Sequence, residues 1–337
     1  ENLAVQSIEL SRAVIGVGQK VNIRANIRNY GKNSYSNLPV YFKVDGTGKS
    51  MSQINIGGRE SAQVLFSASF ETAGSHLLEV AVDADRLTAD NTCRKSLPVL
   101  DRLPVLLVDG APSEQPLAGE TAFLEIALKP YGAAGSELKD MIDPEVVAYD
   151  RFDTKALDQP RVLVLANVPA LDDGQLRAVR DFVHNGGGLM IFPGDKTNHR
   201  WYNDKLLADG RGLLPMRIAS LAGDGDSDSA VTVVSQHYDH AALELFNDPR
   251  NGSLTGAQIR LWYRLVPMLD AAGKRAPARI LARLDNGDPF LVERDFGHGR
   301  VLLCSTPADA DWSNLPLRPF YLPLMQQLIT YLASKVN

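Results

Sequence analysis

The chain has 337 residues, of which 45% are hydrophobic, 22% charged and 7% aromatic, and its formal net charge is −5. This composition is typical of a globular protein with about two domains of ~150 residues each, and it argues against long disordered tails. The slight acidity without a basic stripe argues against a nucleic-acid surface and an anionic-membrane patch. The two cysteines, Cys93 and Cys304, are too few for a disulfide-dense scaffold or a multi-cysteine zinc module.

The two ends of the chain lack targeting features. No apolar run reaches the roughly 18 residues that a membrane-spanning helix needs. The sequence begins at Glu1 without a charged-then-apolar signal and stops at Asn337. We therefore expect a piece of a longer protein.

Residues 1–100 carry the period-two alternation that is typical of β-strands. Apolar residues at positions 21, 23, 25 and 27 alternate with polar ones, which indicates a strand with one buried face. A second alternating segment ends at Asp45-Gly46, a hairpin-type turn signal. About six such short segments, separated by glycine or polar residues, predict a β-sandwich.

From residue 101 onward, short apolar runs alternate with helical segments. The runs are 105–108, 162–165, 189–192 and 301–305. Continuous apolar runs of this length indicate strands that are buried on both faces, and hence a parallel sheet of βαβ units. Between two of them, Asp172 and Gln175 predict a capped helix start, and the glycines at 186–188 predict its end.

Residues 197–277 interrupt this alternation and predict a large insertion above the sheet. They include Trp262 and an acidic tract at 224–228. The sheet pattern then resumes at 280–284 and 290–294, which flank polar residues 285–288 and predict a hairpin. A last helix is indicated by Leu324, Leu328 and Leu332 at four-residue spacing.

Polar side chains stand where the predicted parallel strands end, which is the edge at which open α/β sheets bind ligands. The set is Asp109, Asn167, Asp195, Asp309, Asp311 and Trp312. If these side chains converge on one crevice, they form a polar pocket for a sugar-like or cationic ligand. The alternative, which the cap preferences of Asp and Asn favour, is that they cap the helices and turns that follow.

Two other groups imitate metal sites. His237 and His240 would share a face if they lay on a helix, but no compact set of further ligands accompanies them. The tract at 224–228 begins like a calcium loop, yet Ser229 and Ser235 stand where an EF-hand needs Gly and Glu. We expect no metal and no cofactor, and a solvated acidic loop.

Five residue groups at the start of the chain carry a family resemblance. They are Gly-Gln-Lys-Val at 18–21, Asn-Tyr-Gly at 29–31, Val-Asp-Gly at 44–46, Ala-Gly-Ser-His at 73–76 and Asp-Asn at 90–91. Together they resemble the CARDB-type adhesion module over roughly residues 5–100. The resemblance implies an immunoglobulin-like β-sandwich for residues 1–100.

Further groups in residues 103–337 carry a second resemblance. They are Leu-Leu-Val-Asp-Gly at 106–110, Glu-Thr-Ala-Phe-Leu at 120–124, Asn-Gly-Gly-Gly at 185–188, Gly-His-Gly-Arg-Val-Leu at 297–302 and Asp-Trp-Ser-Asn-Leu-Pro at 311–316. This region resembles the class I glutamine amidotransferase-like, flavodoxin-type fold. Within that fold it is similar to the extracytoplasmic part of BatA-like bacterial membrane proteins, which carry an aerotolerance-regulator membrane region and often a von Willebrand A domain.

The second resemblance implies a flavodoxin-like α/β domain at 101–337, on the periplasmic or cell-surface side of a bacterial membrane. It also implies flanking transmembrane segments outside this chain. The catalytic residues of an active amidotransferase are missing, however. The strand-to-helix elbow reads Phe192-Pro193-Gly194-Asp195 without a cysteine, and the late loop at 309–311 has no histidine. Because acyl transfer needs a nucleophile and a base, we expect no glutaminase activity.

These observations predict a non-catalytic, extracytoplasmic interaction module that binds a protein or cell-envelope ligand. One alternative is a glycan hydrolase that uses carboxylates at the carboxyl edge of the sheet. The other is a sugar-binding module with Trp312 or Trp262 as a stacking platform. A carboxylate pair with a raised pKa would favour the enzyme, and an exposed aromatic floor without one would favour sugar binding.

Overall fold

The computed structural model describes residues 2–10, 15–83, 90–132, 140–225, 229–268 and 278–334. The chain divides into two compact units, Glu1–Asp101 and Arg102–Asn337, called here the N-terminal and the C-terminal unit. The N-terminal unit consists of strands, and the C-terminal unit is a mixed α/β unit built on a largely parallel sheet. In the described part of the chain, no helix is both long and apolar enough to cross a membrane.

The N-terminal unit is an immunoglobulin-like β-sandwich, and its described residues form eight strands where the sequence pattern indicated about six. The strands are β1 Leu3–Leu10, β2 Ile15–Gly16, β3 Lys20–Asn29, β4 Tyr35–Val44, β5 Thr47–Ile56, β6 Ser61–Ser69, β7 Gly74–Val82 and β8 Thr92–Leu100. One sheet has the order β1-β3-β6 and the other β2-β8-β7-β4-β5. The rings of Phe42 and Phe66, one from each sheet, stack at 5.2 Å in the core between them.

Local sequence explains this unit well. In β3 every second residue from Val21 to Ile27 is fully buried, as the alternation predicted. Strands β4 and β5 form an antiparallel hairpin, which confirms the turn at Asp45-Gly46. Both turn residues have positive φ angles, +49° and +77°, which suits the residue types that tolerate the left-handed region.

The C-terminal unit alternates strands and helices before the insertion. Its elements are β9 Leu103–Asp109, α1 Ala122–Leu128, β10 Ile142–Ala148, β11 Val162–Ala166, α2 Asp173–His184, β12 Gly188–Phe192, α3 His199–Trp201, β13 Arg217–Gly223, β14 Val231–Thr232, β15 Gln258–Ile259, β16 Leu261–Val266, β17 Arg279–Arg283, β18 Pro289–Phe296, β19 Gly299–Cys304 and α4 Tyr321–Leu332. The main sheet, as far as the chain is described, has the order β10-β9-β11-β12-β19-β18-β17.

The pairing within this sheet follows the predicted pattern. Strands β10, β9, β11, β12 and β19 are parallel, while β18 and β17 form the predicted hairpin and run antiparallel. Counted along the chain, the five parallel strands lie in the order 2-1-3-4-5. Strand β10 was missed by the sequence analysis because it is an edge strand without a continuous apolar run.

The helices cover both faces of the sheet. Asp172 caps α2, since its carboxylate accepts hydrogen bonds from the backbone N–H groups of Gly174 and Gln175, and this confirms the predicted capping box. Val183 of α2 packs in one core with Leu189 and Ile191 of β12. The alternate residues of the same strand, Met190 and Phe192, instead line a small apolar cavity with Leu324, Met325 and Leu328 of α4. Helices α2 and α4 therefore lie on opposite faces.

The insertion at 197–277 packs on both faces of the sheet, since its Leu243 and Leu254 line the apolar cavity beside α4. Its described elements include a six-residue π-helix, Tyr202–Leu207, and two antiparallel strand pairs, β13 with β16 and β14 with β15. Tyr202 and Tyr263 join the same core as α2. Residues 226–228 and 269–277 lie outside the described residues, so most of the predicted calcium-like tract is not part of this description.

Each unit has its own buried cluster, and this carries a prediction about folding. Limited proteolysis is expected to release a stable fragment that begins near residue 100, because an independent core lets each unit fold alone. The fragment 101–337 should show the circular dichroism of a folded α/β protein and unfold cooperatively. An unfolded fragment would contradict independent folding.

Candidate functional site

The candidate site lies at the carboxyl edge of the parallel strands, between β9 and β11. From β9 the chain turns through α1 to β10 on one side, and from β11 it turns through α2 to β12 on the other. Such a reversal of strand order opens the crevice in which open α/β sheets bind ligands. We call the residues that meet here the switch-point crevice. They are Asp109, Glu120, Asn167, Asp195 and Asp309.

Asn167 connects three segments of this crevice. Its side chain is almost fully buried, and its Nδ2 donates hydrogen bonds to Oε1 of Glu120 at 2.5 Å and to Oδ1 of Asp195 at 2.7 Å. Its Oδ1 accepts a hydrogen bond from the backbone N–H of Lys196 at 2.8 Å. The residue also has a φ of +51°, a conformation that asparagine tolerates better than most side chains. Asn167 therefore fixes the carboxyl groups on both sides of it.

Two glycines allow the chain to approach Asn167 closely. A Cβ atom on Gly110 would lie 2.0 Å from the carbonyl oxygen of Asn167, and one on Gly194 would lie 2.5 Å from its Cγ. Gly110 follows β9 and Gly194 follows β12, so the loops at two strand ends press against the same residue. Larger side chains at either position would push Asn167 out of place.

Asp109 and Asp309 serve partly as caps, as the alternative interpretation of the sequence proposed. Oδ1 of Asp109 accepts a hydrogen bond from the N–H of Ala111, and its Oδ2 accepts two from the N–H and hydroxyl of Thr121. Oδ1 of Asp309 accepts one from the N–H of Asp311. Both carboxyl groups are nevertheless buried, and burial raises the pKa of Asp309 to about 6.

Glu120 is the most unusual member of the crevice. Only 7% of the residue is exposed, and its Oε2 has no hydrogen-bond partner among the described residues. Burial, and then the charge of Asp309, raise the pKa of Glu120 to about 8, although the hydrogen bond from Asn167 opposes this shift. Glu120 is therefore largely protonated at neutral pH.

Asp195 behaves in the opposite way. Its side chain is 59% exposed and lies 2.9 Å from Nζ of Lys196. The hydrogen bonds from Lys196 and then from Asn167 lower the pKa of Asp195, so its carboxylate is ionised at neutral pH. Asn167 thus bridges one protonated and one ionised carboxyl group.

The aromatic part of the predicted site is wrong. Trp312 is only 8% exposed and packs against Tyr263 with the ring centroids 5.3 Å apart, so its indole belongs to the core and not to the crevice. Asp311, its neighbour, is exposed. Trp262 is also buried, and its Nε1 donates a hydrogen bond to Asp288. Neither indole offers the exposed face that a sugar platform needs.

Glu120 was not among the site residues predicted from the sequence. It lies just before α1, where an acidic residue is expected for its favourable interaction with the start of a helix. Its contact with Asn167 joins positions 47 residues apart. Only the three-dimensional fold distinguishes this glutamate from an ordinary helix-start residue.

The amidotransferase resemblance would make residues 192–195 a catalytic elbow, and this segment supplies the carboxylate of Asp195 but no thiol. Thr197 is the first hydroxyl residue after it, and its Oγ1 accepts a hydrogen bond from the N–H of Gly194. Cys304 lies within β19, where burial raises its pKa to about 12 and keeps the thiol protonated. Neither side chain is placed as an activated nucleophile.

We accordingly expect no glutaminase activity. Ammonia release from glutamine by the purified chain should not exceed the background in buffer, because loss of the nucleophile alone usually removes several powers of ten in rate. The variant Asp195→Ala serves as the comparison. Turnover well above buffer that disappears in this variant would contradict the expectation and identify Asp195 as catalytic.

The two histidines contact different partners. Residues 234–239 have no regular secondary structure, so the helical spacing of His237 and His240 does not apply. His237 is exposed with Asp239 at 3.4 Å, whereas His240 turns inward to Glu293 at 3.1 Å. The described residues contain no group of three or more His, Cys, Asp or Glu side chains that could hold a metal ion.

Comparison with known proteins identifies the N-terminal unit. Residues 1–92 match the CARDB family, so the chain carries a CARDB domain there. The CARDB domain of PF1109 from Pyrococcus furiosus has 19% identity over 30% of this chain and 95% of that domain, with a TM-score of 0.27. No curated protein matches the chain.

Two solved structures are similar over a larger part of the chain. The cytoplasmic protein STM1381 from Salmonella typhimurium LT2 has 15% identity over 68% of this chain and 99% of that one, with a TM-score of 0.50. The cytoplasmic protein STM3548 from Salmonella typhimurium has 14% identity over 68% and 98%, with a TM-score of 0.49. At this identity the likeness to STM1381 concerns the fold alone.

Proposed function

We propose that this chain is a non-catalytic, extracytoplasmic binding module of a membrane-anchored bacterial protein. Its C-terminal unit holds a protein or cell-envelope ligand in the switch-point crevice, and sacculi, which present both glycan and peptide, are the first ligand to test. The CARDB domain at 1–92 supports the extracytoplasmic part of the proposal, because the sequence resembles adhesion modules of that kind. The membrane anchor rests on the resemblance to BatA-like proteins.

The unpaired Oε2 of Glu120 is the observation that carries the proposal. A buried polar atom without a hydrogen-bond partner costs roughly 1–3 kcal/mol, and proteins retain such costs mainly at functional sites. A ligand group that forms a hydrogen bond with this oxygen would recover the lost interaction. The position of Glu120 at a reversal of strand order is where such a ligand is expected.

The strand order supports a flavodoxin-like, amidotransferase-like origin for the C-terminal unit. The order 2-1-3-4-5 of its parallel strands is that of flavodoxin-like doubly wound sheets. The missing thiol at the elbow and the protonated Cys304 favour binding over acyl transfer. The crevice, which holds the active site in enzymes of this fold, would then bind a ligand without catalysing a reaction.

Co-sedimentation with isolated peptidoglycan sacculi tests this proposal. The full chain is expected to be retained, and Glu120→Gln should reduce retention at least fivefold because it changes the unpaired oxygen. Glu145→Gln makes the same substitution outside the crevice, on the exposed part of β10, and should leave retention unchanged. No retention of the unchanged chain, or equal retention of the Glu120 variant, would contradict the proposal.

A carboxylate-based glycan hydrolase is the second candidate, and one observation favours it. The environment raises the pKa of Glu120 and lowers that of Asp195, and both carboxyl groups accept hydrogen bonds from the same Asn167 nitrogen. Two neighbouring carboxyl groups with separated pKa values are the usual acid and nucleophile of such enzymes. Release of reducing ends from sacculi, lost in both Glu120→Gln and Asp195→Asn, would establish this reaction in place of simple binding.

A further inference from the structure

The switch-point crevice contains more carboxyl groups than it has cations to pair with them. Asp195 has Lys196 as its counter-charge. Among the described residues, no salt bridge reaches Asp109, Glu120 or Asp309, and each of these three is at most 7% exposed. Buried carboxyl groups are costly to ionise without a neighbouring cation.

We propose that the crevice takes a primary ammonium group of the ligand, and that Glu120 gives up its proton when this group binds. The inference rests on the proposed function, since it names the chemical class of ligand for the same site. The ammonium would lie against Oε2 of Glu120, the oxygen without a described partner, and would supply the positive charge that the three buried carboxyl groups lack.

The arrangement of the acceptors favours an ammonium over a guanidinium. Asp109 ends β9, Glu120 precedes α1, and Asp309 follows β19, so the carboxyl groups come from three separate segments. Within Glu120, Oε1 already accepts a hydrogen bond from Asn167 and only Oε2 lacks a partner. A single ammonium N–H suits this one oxygen, whereas the planar fork of a guanidinium needs two acceptor oxygens side by side.

The charge balance of the binding step follows from the state of Glu120. Without ligand, its pKa of about 8 keeps the proton on the carboxyl group at neutral pH. A bound ammonium stabilises the carboxylate, so the proton passes to solvent and one N–H group of the ammonium donates to the oxygen in its place. Affinity should therefore increase about tenfold for each pH unit between pH 6 and pH 8.

The neighbouring groups do not reverse this dependence. The charged side chains that interact with Glu120 are Asp109, Asp195, Lys196 and Asp309. Asp311 and Tyr321 in turn interact with Asp309, and Tyr263 interacts with Asp195. Burial raises the pKa of both tyrosines, so they stay neutral. Asp309 titrates near 6 and strengthens cation binding as it ionises. Arg260 donates to the backbone carbonyls of Ala310 and Asp311.

A pair of matched small molecules tests the inference on the full chain. The side-chain amide signal of Asn167 in a ¹⁵N NMR spectrum reports on the crevice, because its Nδ2 contacts Glu120 directly. Titration with 5-aminopentan-1-ol is expected to shift this signal, with affinity about tenfold higher at pH 7.5 than at pH 6.5. Pentane-1,5-diol, which replaces the ammonium with a hydroxyl, should shift it little.

Two variants complete the test. Glu120→Gln should bind the amine more weakly and with little dependence on pH, whereas Glu145→Gln should behave like the unchanged chain. An Asn167 signal that does not respond to the amine, responds equally to the diol, or responds without pH dependence would overturn the inference. If the chain is retained on sacculi but gives any of these results, the proposed function stands and only the ammonium inference is contradicted. If the chain binds the amine but is not retained on sacculi, the ammonium inference stands and the proposed function is contradicted.

Discussion

Replacing Glu120 with glutamine is expected to stabilise the C-terminal unit at pH 8 and to change its stability little at pH 4. Glu120 has a pKa of about 8 in the folded protein and an ordinary value of 4.5 when unfolded. Between these values the folded state holds more protons than the unfolded state. The free energy of unfolding therefore falls as pH rises through this window, by up to about 1.4 kcal/mol per pH unit.

Glutamine keeps an oxygen for the hydrogen bond from Asn167 but has no charge to bury. We expect Glu120→Gln to raise the free energy of unfolding at pH 8 by about 3 kcal/mol relative to the unchanged chain. Urea unfolding at pH 4, 6 and 8 measures this difference, with Glu145→Gln as the control for removing an exposed charge. If the free energy of unfolding depended on pH in the same way in both glutamine variants, the surroundings of Glu120 would not raise its pKa.

Replacing Gly110 with alanine is expected to destabilise the C-terminal unit by about 3 kcal/mol or more. The added Cβ would lie 2.0 Å from the carbonyl oxygen of Asn167 and 2.7 Å from the N atom of Val168. Both are backbone atoms, which cannot move without displacing the end of β11. The crevice should lose its geometry together with its stability, since Asn167 connects the carboxyl groups.

Gly174→Ala is the matched control for this prediction. Gly174 lies in the first turn of α2, and its added Cβ would approach only Oδ1 of Asp172, at 3.1 Å. Alanine has a higher helix propensity than glycine, so Gly174→Ala should leave the free energy of unfolding unchanged or raise it by up to about 1 kcal/mol. Thermal unfolding of both variants tests the prediction, and the midpoint of Gly110→Ala should be clearly lower than that of Gly174→Ala. Equal midpoints would mean that the loops after β9 and β11 do not touch as described.

Much of the fold could be predicted because local sequence specifies it. Asp45-Gly46 fixes the hairpin between β4 and β5 by its tolerance of positive φ, and Asp172 with Gln175 fixes the start of α2 by capping. Continuous apolar runs identified the central parallel strands because these are buried on both faces. Strand β10 lacks such a run, since its position at the sheet edge leaves part of it exposed.

The candidate site could be predicted only in part. Asp109, Asn167 and Asp195 come together because the carboxyl ends of adjacent parallel strands meet at one edge of the sheet. The role of Glu120 depends on a contact across 47 residues, which no local pattern contains. Trp312 lies in the same loop as Asp309, but its side chain is buried in the core. Packing the indole against Tyr263 removes a large apolar surface from water.

The protonation of Glu120 is the central claim, because the account of its buried environment and the ammonium inference both depend on it. A ¹³C NMR titration of its carboxyl carbon, assigned by comparison with Glu120→Gln, measures this protonation directly. We predict a midpoint near pH 8 in the protein without ligand. A midpoint near 4.5, the ordinary value for glutamate, would mean that Glu120 is solvated and that the account of the crevice is wrong.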